Sequence, residues 1–149
     1  MDRGTISSRI AALREECARL GRELAAGGYG LAPEEAFAVS GELQGLVNAA
    51  EGAMVTVAAW GARVEVRLSG DGPVERFHPV GFCDQMAPSM LCTEARLTEG
   101  QAGRKLALGA NLGERFPMTR DLLLSGDLAA VTAQKVIDAG LVWIGPGPE

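Results

Sequence analysis

Apolar residues in the first half of the chain recur at helical intervals. Ile10, Leu13, Cys17, Leu20 and Leu24 are spaced 3, 4, 3, 4, one stripe on an otherwise Arg- and Glu-rich segment. Ser7 or Ser8 suits the N-cap, and Gly27 with Gly28 suits the stop after Ala26. A second helix is expected from Pro33, with Glu34 and Glu35 at its positive end. Leu43, Val47, Ala50, Met54, Val57, Gly61, Val64 and Leu68 then follow at alternating steps of 4 and 3. A helix from Pro33 to Leu68 would be roughly 50 Å long, and pairing it with the first stripe predicts a helical hairpin over residues 1–68. Arg63-Val-Glu-Val-Arg-Leu68 also alternates, and with Ser69-Gly-Asp-Gly72 it fits a strand entering a β-hairpin. Helix is preferred there because the seam continues through Val64 and Leu68.

Residues 69–79, with Gly70, Gly72 and Pro73, read as a loop. Beyond it a cluster of shorter helices is expected over residues 80–139. The first runs from Gly81 to Met90, ending near Pro88. The next starts at Thr98, where Thr98-Glu-Gly-Gln101 has capping-box spacing, and reaches about Arg115. It carries Gly100, Gly103, Gly109 and Gly113, each costing about 0.5–1 kcal/mol relative to alanine. That cost is tolerable where another helix presses on the backbone. Pro117 ends it, Thr119–Ser125 forms a short helix closed by Gly126, and Asp127 caps a last helix to Ala139. Residues 140–149 read as a tail. The predicted class is all-α, a long helical hairpin followed by a helical cluster with a helix-turn-helix-like end.

Composition narrows the functional classes. Hydrophobic residues make up 47% of the chain and aromatic residues only 5%, so the core must be built mainly of Ala, Leu and Val. Lys and Arg number 14 against 19 Asp and Glu, net −5, and residues 94–139 carry six of each sign. No segment has the positive surplus of a protein that binds nucleic acid chiefly by neutralising phosphates. The N-terminal stretch lacks the apolar core and cleavage site of a signal peptide, and Leu46–Ala62 is too short and interrupted for a membrane span, so a cytoplasmic protein is expected. Cys17, Cys83 and Cys92 lack metal or redox spacing and are read as buried free thiols.

Residues 97–139, LTEGQAGRKLALGANLGERFPMTRDLLLSGDLAAVTAQKVIDA, resemble the bacterial domain-of-unknown-function-222 (13E12-repeat) family. Leu106, Leu112, Pro117, Leu122, Leu123, Gly126, Asp127, Ala133 and Val136 carry the likeness, and the segment GFCDQMAPSML agrees with it more loosely. The resemblance implies the helical N-terminal region of HNH-endonuclease-like proteins. HNH chemistry requires a histidine base and further metal-binding side chains. This sequence has one histidine, His78, and two asparagines, Asn48 and Asn111, so the HNH module is expected to be absent.

His78, between Phe77 and Pro79, reads as a structural loop residue, and Ser69–Gly72 as a plain turn without the lysine of a phosphate loop. The candidate DNA contacts are Arg104, Lys105, Arg115, Arg120, Gln134 and Lys135, of which Gln134 has the chemistry to read an adenine edge. Glu114, Asp121, Asp127 and Asp138 counter them. The resulting expectation is a non-catalytic helical module, a scaffold or nucleic-acid-positioning domain that forms homo-oligomers. No cofactor, metal site, membrane partner or small-molecule substrate is expected. The alternative is a small helix-turn-helix DNA-binding regulator using residues 98–139.

Overall fold

A computed structural model describes residues 1–27 and 29–143. Six helices and one two-stranded sheet occur among them, in the order α1 (Arg3–Ala26), α2 (Pro33–Gly61), β1 (Val64–Ser69), β2 (Gly72–Phe77), α3 (Ala87–Ala95), α4 (Glu99–Glu114), α5 (Pro117–Ser125) and α6 (Ala130–Trp143). The protein is mostly helical but not strictly all-α. The chain divides into two compact units, Met1–Ala38 and Val39–Glu149. The tail expected over residues 140–149 is helical to Trp143, and its remainder lies outside the described residues.

In the first unit, α1 starts earlier than expected because Asp2 is its N-cap. The Asp2 carboxylate accepts from the Thr5 amide at 3.0 Å and from the Thr5 hydroxyl at 2.9 Å. These bonds hold the Asp2 carboxyl below its ordinary pKa. Gly27, at φ 75°, closes the helix as expected, its amide donating to Leu24 O at 3.2 Å. None of the α1 residues is buried. The helical hairpin expected over residues 1–68 is not confirmed: the α1 stripe is solvent-exposed, and its second limb stops at Gly61.

In the second unit, the buried face of α2 is not the seam of large residues. Val47 and Val57 are 59% and 64% exposed, whereas Gly52 and Val55 are buried, with Gly45, Asn48 and Ala59 half-buried on the same face. The 3, 4, 3, 4 spacing is present, rotated onto small residues. A Cβ on Gly109 of α4 would stand 2.1 Å from Val55 O, so the two backbones touch. A Cβ on Gly52 would lie 3.0 Å from Leu123 Cγ, and one on Gly126 2.4 Å from Gly45 O. Around these contacts Val55, Leu108, Leu112, Leu123, Ala133 and Ile137 form the core, flanked by Met54, Phe116, Leu128 and Ala130.

Residues 64–69 are a strand, not the end of α2, and β2 occupies most of the expected 69–79 loop. The two strands pair antiparallel from Val64 opposite Phe77 to Ser69 opposite Gly72, around a Gly70-Asp71 turn. Helix and strand would both satisfy this backbone, and the partner strand Gly72–Phe77 decides between them. The Ser69 hydroxyl accepts from the Asp71 amide and donates to Gly72 O, and Gly72 has φ 113°. A lone hairpin is marginal in water. This one is tied to the residues just after α2 by two bonds between Arg63 and His78: His78 N donates to Arg63 O, and the Arg63 side-chain Nε to His78 O, both at 2.9 Å.

Pro88 begins α3 rather than ending an earlier helix, because proline lacks the amide that a first turn does not use. The Thr98–Gln101 capping box is formed at the start of α4, at 3.0 and 3.2 Å. Pro117 likewise sits at the start of α5, ahead of the expected Thr119. Gly126, φ 88°, closes α5 through its amide to Leu122 O and Leu123 O. Asp127 does not cap α6, which begins at Ala130. Its carboxylate instead accepts from the Ser125 hydroxyl at 2.7 Å.

The glycines of α4 make a direct test of backbone contact. Gly109→Ala is expected to cost on the order of 2–3 kcal/mol, because the Val55 carbonyl it would strike is helix backbone. Gly103 has open space beyond it, so Gly103→Ala should raise stability by about 0.5–1 kcal/mol. Urea melts of the two variants should therefore shift in opposite directions.

Candidate functional site

The six candidate side chains come from three helices. Arg104 and Lys105 stand on α4 and point differently: Arg104 is exposed, whereas Lys105 is half-buried and ion-paired with Glu51 of α2. Arg115, the residue that ends α4, lies 3.8 Å from the Glu114 carboxylate. Arg120 of α5 lies 3.4 Å from Asp121 and also lines a shallow cleft of about 200 Å³ with Thr56, Trp60, Arg63, Val80 and Gly109. Gln134 of α6 donates to Asp138 at 2.8 Å, one turn along the same helix. Lys135 is exposed. Among the described residues, Arg104 and Lys135 have no ion-pair partner.

The helix-turn-helix-like end is seated by its turn. Gly126 meets the α2 backbone at Gly45, and Asn48 Nδ2 donates to Gly126 O at 3.2 Å. Leu123, fully buried, fits against Gly52. The turn that would pivot a recognition helix is thus a packing contact. On α6, Ala133 and Ile137 face the core, while Val131 is 67% exposed on the outer side. The exposed side of α6 also carries Thr132, Lys135, Val136 and Asp138, so polar and apolar side chains are mixed along it.

A second constellation lies on the hairpin, across residues expected as the end of a long helix and the loop after it. His78 Nε2 is 2.7 Å from Glu65 Oε2, and Arg67 Nε donates to Glu65 Oε1 at 2.7 Å. The His78 ring stacks on Phe82 with centroids 3.7 Å apart, and Trp60 meets the edge of Phe77 at 5.4 Å. The Arg63 guanidinium lies 5.8 Å from the Phe77 centroid. His78 is thus held at its edge by Glu65 and on one face by Phe82, an arrangement that anchors the hairpin base. The signal was present in sequence as the alternation of Glu65 and Arg67, but the pairing appears only once the strands are in register.

The hydrogen bond from Arg67, and then that from His78, holds the Glu65 carboxyl below its ordinary pKa. Of the three cysteines, Cys17 and Cys83 are exposed and Cys92 is half-buried, correcting the expectation that all are buried; all three are free thiols. Partial shielding of its thiol from water, followed by the neighbouring Asp84 charge, raises the Cys83 pKa. Among the described residues, no three His, Cys, Asp or Glu side chains converge where a metal ion could sit, and no helix is long and apolar enough to cross a membrane. No family model matches the chain, and comparisons with curated proteins and with solved structures return no match.

A carboxyl whose folded pKa is depressed adds stability above its unfolded pKa, and that stability is lost as pH falls through the folded value. The Glu65 contribution should therefore be complete above the ordinary glutamate range and be lost as pH falls below it, through the depressed folded value. Urea midpoints measured across this range for the wild type and Glu65→Gln should converge on the acid side and separate on the neutral side.

Proposed function

We propose that the chain is a non-catalytic helical module of an HNH-endonuclease-associated family, acting as a self-associating scaffold. The pairing of the candidate cations carries this reading. Lys105, Arg115 and Arg120 each face a carboxylate of the chain, and Gln134 is engaged by Asp138. Phosphate binding requires uncompensated positive charge, since affinity comes from releasing the counterions of the nucleic acid. Of the six candidates, only Arg104 and Lys135 are charged and without an ion-pair partner among the described residues, on a chain of net charge −5. The turn between α5 and α6 gives the same reading further support, because its closest contact is the backbone of α2. Large apolar residues face outward along α2 and α6, among them Val47, Val57, Trp60 and Val131, which suits a surface that other protein covers.

A mobility-shift titration with duplex DNA at low salt tests the choice. The scaffold predicts no retarded band at micromolar protein, and no difference between the wild type and Arg104→Ala with Lys135→Ala. Neither substitution removes a buried contact, so the variants remain folded. A band that fades steeply with added salt, and that this pair of substitutions weakens, would overturn the scaffold in favour of a DNA-binding regulator using residues 98–139.

A further inference from the structure

α1 is a 24-residue amphipathic helix with a complete apolar seam and no buried residue. Ile6 extends the stripe by one position now that the helix begins at Arg3, so Ile6, Ile10, Leu13, Cys17, Leu20 and Leu24 alternate by 4 and 3. Ile10 and Leu13 are 52% and 63% exposed. Helices of this kind owe most of their stability to packing of the apolar face, and a single amphipathic helix in water is marginal. A narrow two-position seam flanked by charges is the form that pairs with one other helix.

The charges beside the seam identify that helix. With Ile10, Cys17 and Leu24 in one register class and Ile6, Leu13 and Leu20 in the other, Arg9, Glu16 and Glu23 line one flank, and Ser7, Arg14 and Gly21 the other. In a parallel pair of α1 helices Arg9 meets the partner's Arg14 twice, and no opposite charges meet. In an antiparallel pair with full overlap, Ile6 lies across from Leu24, Ile10 from Leu20 and Leu13 from Cys17. Arg9 then meets the partner's Glu23 on both ends. Glu16 meets its own copy at the centre but is already neutralised by Arg19 of the same helix, whose Nε lies 3.1 Å away. Arg14 against Arg14 is the one like-charge contact left uncompensated. Arg9 and Glu23 have no ion-pair partner within the chain among the described residues, so both are available.

We propose that α1 is a dimerisation helix, and that two copies of the chain join through an antiparallel two-helix coiled coil along this seam. The proposal deepens the self-association in the reading above and rests on that part of it alone. The partner is a second copy because the seam is complementary to itself only when reversed. Like-charge contacts at these flanking positions select orientation as much as attraction does.

Light scattering and sedimentation of the full chain test it. The wild type should be a dimer whose dissociation constant rises about fivefold in Arg9→Glu and in Glu23→Arg, and returns near the wild-type value when the two are combined. Leu13→Asp should give a monomer that loses part of the far-ultraviolet helix signal through α1, while the second unit melts as in the wild type by near-ultraviolet circular dichroism, since α1 supplies no buried residue. In a Cys83→Ser background mild oxidation should leave the dimer unlinked, because antiparallel helices hold the two Cys17 thiols apart. Tightening by Arg9→Glu, or a Cys17 disulfide between copies, would overturn the proposal in favour of parallel helices. A dimer indifferent to Leu13→Asp would overturn it while leaving self-association standing. A monomeric wild type would remove both, and the scaffold would then stand or fall on the DNA titration.

Discussion

The second unit depends on the approach of two helix backbones at Gly109 and Val55. Where a Cβ would lie 2.1 Å from a carbonyl oxygen, no residue but glycine can stand without moving a helix. The same face of α2 presents Gly52 to Leu123 and Gly45 to Gly126, so α4 seats through its own glycine, and α5 and the turn after it against glycines of α2. Dispersion falls off steeply with separation, and close backbones gather many short contacts that large side chains would hold apart. A chain with 5% aromatic residues can build a core in this way. The geometry also sets its polar contacts. Glu51 and Lys105 meet across α2 and α4, and Asn48 reaches Gly126 O, because the backbones between them are so near.

Helix ends were easier to read than helix faces. Gly27, Gly126 and the Thr98–Gln101 box lie where local chemistry places them, since capping depends on a few neighbouring residues. The face of α2 was misread because hydropathy weights large side chains. Leu43, Val47, Met54 and Val57 carry the strongest signal, whereas the contact positions are Gly45, Asn48, Gly52 and Ala59, which carry almost none. Val64 and Leu68 fitted both a heptad and an alternating strand, and local pattern cannot weigh the pairing with Gly72–Phe77 that decides between them. Proline was ambiguous for a related reason: Pro88 and Pro117 are as compatible with a first turn as with a stop.

The candidate cations show a different limit. Their identity is plain in sequence, but their availability is not, because availability depends on who stands opposite. Glu51 is 54 residues from Lys105, and only the packing of α2 on α4 brings them together. His78 and Glu65, 13 residues apart, meet because the hairpin register places Glu65 opposite Arg76, which makes His78, two residues on, its diagonal neighbour. In both cases charge that looked free in one dimension is spent on holding the fold. A part-buried pair such as Lys105–Glu51 costs desolvation and is lost asymmetrically, since removing either partner strands the other. Such pairs fix the register of the helices that carry them more than they add stability.

Along α2, small residues face the core while several large apolar ones face outward, so that helix keeps unburied apolar surface. Trp60, Val47, Val57 and Leu68 remain exposed while glycine and alanine occupy the contacts. The outward faces differ in what they can specify. Along α2 the exposed positions beside Val47 and Val57 include Leu46 and Trp60, apolar residues that reward any apolar partner. Along α1 the seam is bordered by Arg9, Arg14, Glu16 and Glu23, which penalise most arrangements and reward one. Specificity is a difference between affinities, so a charge-bordered seam discriminates among partners more sharply than a broad apolar face does.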